Sequence, residues 1–128
     1  LPILINAELP YFNWVGVYWL DRDKNELRLG PYIGARTEHV CIPVGRGVCG
    51  TAVAENANQV VADVRKLDNY IACSLDVRSE IVVLIRDDNS GIIGQIDADG
   101  HEVGAFDAQD EAFLAEVAGL IALSMLRH

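Results

Sequence analysis

Two cysteines stand where a working thiol would be built. Cys73 lies in Tyr70-Ile-Ala-Cys-Ser-Leu-Asp76, just ahead of Ser79-Glu-Ile-Val-Val83. This puts its thiol in a loop just ahead of an apolar strand that opens with the carboxylate of Glu80. Cys49 lies in Pro43-Val-Gly-Arg-Gly-Val-Cys-Gly50, where closely spaced glycines force a tight turn and a short helix is predicted from Val48 to Glu55. A helix N-terminus favours the thiolate, so two thiols so placed suggest redox chemistry. A third, Cys41, falls in a strand predicted over Glu38 to Ile42.

The bulk composition limits what such thiols can serve. A chain of 128 residues gives a single domain, 1–128, and 51% hydrophobic residues suffice for its core. No apolar run reaches membrane-spanning length, and Leu1-Pro-Ile-Leu-Ile-Asn6 is too short and lacks the basic flank of a signal peptide. The expectation is a soluble, cytoplasmic protein. The formal net charge of −9 repels phosphate backbones and anionic membrane surfaces, which argues against nucleic-acid or membrane partners. Three cysteines are an odd number for a disulfide framework and suit a reducing compartment.

The elements that must position these residues are legible from periodicity. Phe12 to Leu20 alternates as a strand, with Trp14, Gly16, Tyr18 and Leu20 on one face and Asn13, Val15, Val17 and Trp19 on the other. Asp21 to Asn25 turns into a returning strand, Glu26 to Gly30. A brief strand over Gln59 to Ala62 is followed by a long, mostly irregular segment, Asp63 to Ser79, that carries Cys73, and long irregular segments in compact domains are commonly functional. Glu80 to Ile85 and Ile92 to Asp99 read as a hairpin. A final helix starts at an Asp107 N-cap and lays Phe113, Val117, Leu120, Ile121 and Ser124 on the sheet. The fold class is therefore α+β, an antiparallel sheet covered by helices.

Asn13-Trp-Val-Gly-Val-Tyr18, Leu29-Gly-Pro-Tyr32, Ile42-Pro-Val-Gly-Arg-Gly-Val-Cys-Gly-Thr51, Ile71-Ala-Cys73, Ser79-Glu-Ile-Val82, Gly94-Gln-Ile-Asp-Ala-Asp99 and Phe106-Asp107 occur in this order over nearly the whole chain. Together they resemble the GAF-domain free methionine-(R)-sulfoxide reductases. The resemblance implies a GAF-like fold with a six-stranded antiparallel sheet, a homodimer, and thioredoxin-dependent reduction of free methionine-R-sulfoxide without a cofactor. By position, Cys73 resembles the nucleophile and Cys49 a resolving or auxiliary thiol. Trp14 and Tyr18 fall at the aromatic pocket positions, and Glu80, Asp97 and Asp99 at the acidic ones. Members of the family usually carry another cysteine ten residues before Cys49, where this chain has His39. Cys41, about 6.5 Å further along the expected strand, is an alternative resolving thiol. The chain also begins late for this family, and the resemblance implies that the N-terminal helix is truncated.

The implied chemistry needs a nucleophile, an acid and a resolver. A thiolate attacks the sulfoxide sulfur while its oxygen is protonated, and a second thiol condenses the resulting sulfenic acid into a disulfide. Glu80 could give the proton or hydrogen-bond the oxygen, where partial burial would favour its protonated form. Asp97 and Asp99, two apart on one strand, face the same side and suit a free ammonium. Trp14 and Tyr18 could box the methyl group.

Each feature has a plainer reading. The cysteines could be packing, Trp14 and Tyr18 core, the two aspartates a solvated face or turn caps, and the glycine segment only a sharp turn, since no Lys-Ser or Lys-Thr follows it. Zinc held by Cys41, Cys49, Cys73 and His39 is a poor match, because cysteine spacings of eight and twenty-four fit no short-knuckle pattern. The expectation is no metal. The alternative function is a non-catalytic GAF sensor that binds a small ligand or responds to redox state. Phe106 with Asp110 and Glu111 echoes part of a cyclic-nucleotide motif, but the same residues make sense as a helix start.

Overall fold

A computed structural model describes residues 9, 11–67 and 76–126. Its strands are β1 (Trp14–Asp21), β2 (Glu26–Ile33), β3 (Cys41–Pro43), β4 (Gln59–Val61), β5 (Ser79–Arg86) and β6 (Ile92–Gly100), and its helices are α1 (Gly47–Glu55) and α2 (Ala108–Leu126). A short 3-10 turn, Val64–Lys66, starts at Asp63, whose carboxylate accepts from Arg65 N–H. The strands form one sheet in the order β3-β2-β1-β6-β5-β4, each neighbour antiparallel. This is the six-stranded antiparallel sheet that the resemblance implies.

Alternation along β1 divides the core in two. Val15 and Val17 join Ile81, Val83, Ile85, Ile96 and Ala98 under Leu114, Val117 and Ala118 of α2. Trp14 and Tyr18 point the other way, with Leu27, Ile42, Val82 and Leu84, against Val48, Cys49 and Ala52 of α1. β5 is buried on both faces from Ser79 to Ile85, which explains its nearly unbroken apolar run.

The helix ends follow from the sequence. Asp107 accepts from Gln109 and Asp110 N–H, and Asp110 accepts in return from Asp107 N–H at 2.9 Å, a capping box built with aspartate. Asp110 also accepts from the Tyr11 hydroxyl, and Glu111 from Asn58. Both acids of the cyclic-nucleotide echo therefore serve the helix start. At the end of α1, Asn56 adopts φ 56°, and the N–H groups of Asn56 and Ala57 return to Val53 and Ala52, closing a Schellman motif.

Two expectations need correction. The buried stripe of α2 is Asp110, Leu114, Val117 and Ala118, whereas Phe113 and Leu120 are 41% and 67% exposed. Val117 and Ile121 of the expected stripe do pack on the sheet, but apolar residues occupy most of this helix, so spacing alone does not select the full sheet-facing set. Strand β3 starts at Cys41, not Glu38, and His39 lies ahead of it with its N–H on Thr37 Oγ1. The segment around Cys73, residues 68–75, and the start of the chain, 1–8, lie outside the described residues. Among the described residues no helix is long and apolar enough to cross a membrane.

Candidate active site

β6 lies between β1 and β5, and the side chains that face α1 from these three strands form successive rows. Tyr18, Gln95 and Leu84 make one row, Gly16, Asp97 and Val82 the next, and Trp14, Asp99 and Glu80 the last. Three acids are thus gathered beneath α1 from two neighbouring strands. Glu80 is 5% exposed, and Asp97 and Asp99 are 1% exposed each. Helix α1 supplies Cys49 from its first turn, with Sγ 3.7 Å from Glu80 Oε2. Gly50 lets that turn seat closely, since a Cβ there would come within 2.6 Å of the Pro43 carbonyl oxygen.

The electrostatics are unusual for a protein interior. Asp97 Oδ1 and both carboxylate oxygens of Asp99 have no hydrogen-bond partner among the described residues. Burial raises the proton affinity of both acids. For Asp97, hydrogen bonding with Glu80 and Cys49 works against that rise, and for Asp99 the neighbouring Asp97 adds to it. Burial also pushes the Cys49 thiol well up, and Asp97, Glu80 and Asp99 push it further. Burial beside these acids works against the thiolate that the helix dipole favours at Cys49. A partial charge at a helix end does not outweigh complete desolvation beside carboxylates.

Two cavities reach the row of acids. One, of about 10 Å³, is lined by His39, Ile42, Arg46, Val48, Cys49, Glu80 and Asp97 among others. The other, of about 90 Å³, is lined by Asn13, Trp14, Ala35, Asp76, Val77, Asp99 and His101. Trp14 forms an aromatic wall there, stacked on Tyr32 at 5.4 Å and donating from Nε1 to the Ala35 carbonyl. Its indole lies over Gly16, where a Cβ would collide with the ring. Tyr18 lines neither cavity. It is fully buried, and its hydroxyl donates to the His39 carbonyl, so it braces the loop before β3 rather than fronting the pocket.

The structure brings Cys49, Glu80, Asp97, Asp99 and Trp14 together and leaves Cys41 apart, exposed on β3 opposite Arg28. Cys73 lies outside the described residues. Sequence reasoning missed Gln95, which is fully buried with both amide atoms unpartnered among the described residues. Its parity with Asp97 and Asp99 was the available signal. It also missed Tyr32, whose support of Trp14 depends on strand register.

The GAF domain family pattern matches residues 7–125. The free methionine-R-sulfoxide reductase of Escherichia coli is 44% identical over 114 residues, covering 89% of this chain and 67% of that protein. The chain spans between 61% and 69% of the length of the curated relatives it matches. Among solved structures, the type II free methionine-R-sulfoxide reductase of Thermoplasma acidophilum superposes with a TM-score of 0.89 at 36% identity, covering 95% of this chain and 84% of that one. The Neisseria meningitidis enzyme in complex with its substrate gives 0.89 at 38% identity, covering 95% and 71%. With acids, thiol and aromatic wall set on this sheet, and with relatives of such identity over most of its length, the chain belongs to the GAF-domain family of free methionine-R-sulfoxide reductases.

Proposed function

We propose that this protein reduces free methionine-(R)-sulfoxide to methionine, with Cys73 as the nucleophile. The observation that carries the reading is the pair Asp97 and Asp99, buried with carboxylate oxygens that lack partners among the described residues. Buried carboxylates call for a cation, and a free amino acid brings an ammonium that a residue within a peptide does not. The Cys73 thiolate attacks the sulfoxide sulfur, and the oxygen takes up a proton, for which Glu80 is the donor. Transfer of the hydroxyl to the Cys73 sulfur releases methionine and leaves a sulfenic acid. Cys49 then condenses with it, releasing water, and thioredoxin reduces the disulfide. Cys49 is favoured over Cys41 because it borders the acids, whereas Cys41 is exposed on an edge strand. Trp14 forms the wall for the methyl-bearing end.

The protein works in the cytoplasm as a homodimer, and the exposed Phe113, Leu120, Leu123 and Met125 of α2 support such an assembly. The test is turnover of free methionine-(R)-sulfoxide in a thioredoxin assay coupled to NADPH oxidation, with Cys73→Ser in parallel. Activity lost in a folded Cys73→Ser protein, with a disulfide mapped to Cys73 and Cys49 in the wild type, supports the mechanism. Near-normal turnover in that variant ends it, and a Cys41 to Cys73 bridge reassigns the resolver. Tight ligand binding without turnover turns the reading to a GAF sensor.

A further inference from the structure

Cys49, Glu80 and Asp97 come from three elements, α1, β5 and β6, yet the Sγ and one carboxylate oxygen from each acid all lie within 4.8 Å of one another, and all three residues are buried. The 3.7 Å between Cys49 Sγ and Glu80 Oε2 is close to the about 3.6 Å that a sulfur and an oxygen would keep on one tetrahedral zinc ion with ordinary bond lengths. The cavity they share, about 10 Å³, has room for about one water-sized body. Asp97, 1% exposed, lines this cavity and has an oxygen with no hydrogen-bond partner among the described residues.

We propose that the reduced protein binds one zinc-class divalent cation between the Cys49 thiolate and the carboxylates of Glu80 and Asp97. The donor set selects the class of ion. Magnesium and calcium take oxygen ligands, and the softest ions take sulfur, whereas one thiolate with two carboxylates suits a borderline ion such as zinc or cobalt. On binding, the Cys49 proton and any proton on the two acids leave to solvent as the metal–ligand bonds form, with no change of oxidation state. The ion would sit beside the acids assigned above to the substrate ammonium and would tie up Cys49. Zinc should therefore inhibit sulfoxide reduction, a consequence that rests on the proposed reading of the pocket, whereas the metal site itself does not.

The experiment titrates Co²⁺ into the reduced full chain carrying Cys41→Ser, which removes the exposed thiol, and follows the thiolate-to-cobalt charge-transfer absorption. The expected result is one ion per chain, with the band absent in Cys49→Ala and no competition from Mg²⁺ or Ca²⁺. Asp97→Asn, nearly isosteric and still carrying Cys49, should lose at least the about 10- to 100-fold in affinity that a missing outer-shell partner costs a metal site. A band that persists in Cys49→Ala, or an unchanged affinity in Asp97→Asn, overturns the site. Anomalous scattering from zinc-soaked wild-type crystals gives an independent reading: an ion between these three side chains supports the proposal, and zinc found only elsewhere refutes it. Cobalt binding without any sulfoxide turnover would defeat the functional reading and spare the metal site, and turnover without the band would do the reverse.

Discussion

The two faces of the sheet are built from the same strands and have opposite characters. Under α2 the buried residues are Phe12, Val15, Val17, Ile81, Val83, Ile85, Ile96, Ala98, Phe106 and the apolar residues of the helix. Under α1 the same strands present Glu80, Gln95, Asp97 and Asp99 among apolar residues, and the helix adds a thiol. Burying an unpaired acid destabilises a fold, and burying an aliphatic side chain stabilises it. The α2 face therefore holds the domain together, and the α1 face draws on that stability to keep its acids and thiol buried.

The largest test of this contrast is Asp99→Asn. If Asp99 holds the substrate ammonium, breaking that buried pair should cost about 3–5 kcal/mol, a loss of about two to three and a half powers of ten in kcat/KM on free methionine-(R)-sulfoxide. Free substrate should also be reduced far better than its N-acetyl form by the wild type, and equal rates on the two would show that the aspartates are not a substrate site.

Leu114→Ala is the matching change on the other face. Leu114 is fully buried, and its truncation should lower stability by about 2–5 kcal/mol, read from urea unfolding, while KM stays unchanged. A large rise in KM with little loss of stability would show that the two faces do not divide the work. Gly16→Ala is expected to be smaller, about 1–3 kcal/mol of overpacking, because its Cβ would strike the Trp14 ring and approach Tyr32 Cβ to 2.9 Å. The cost should fall on substrate binding, with quenching or a shift of Trp14 fluorescence as the structural readout.

A further contrast concerns pH. Burial raises the folded-state proton affinity of Asp97 and Asp99, whereas an unfolded aspartate titrates near about 3.9. A carboxyl raised in the folded state contributes stability that is fully present below the unfolded value and is lost as pH rises toward the folded one. The unfolding midpoint of Asp99→Asn should therefore gain on the wild type as pH rises from about 4 toward neutrality. A constant difference across that range would mean that Asp99 titrates alike in both states. The smallest effect is one of rate. In native protein, iodoacetamide should label exposed Cys41 well before buried Cys49, and unfolding should abolish the difference.

Much of this fold was written locally. Period-two alternation assigned Trp14 and Tyr18 to one side of β1 and Val15 and Val17 to the other, and put Asp97 and Asp99 on a shared face, because side-chain direction along a strand follows from backbone geometry alone. Asp107 marked the start of α2 through its own capping chemistry. Tertiary structure decided what lies opposite these faces. That β6 pairs with both β1 and β5 sets Asp99 beside Trp14 and Glu80. Packing of α1 over that row turns Cys49 from an expected thiolate at a helix start into a buried thiol 3.7 Å from Glu80 Oε2. Desolvation and the charges of neighbours act through space, and residues 31 or more apart in the chain set the proton affinity of Cys49. The sequence by itself determined which residues share a strand face and where α1 and α2 begin to within a residue, whereas burial, and with it the electrostatic character of each acid and thiol, waited on the packing of one short helix against the sheet.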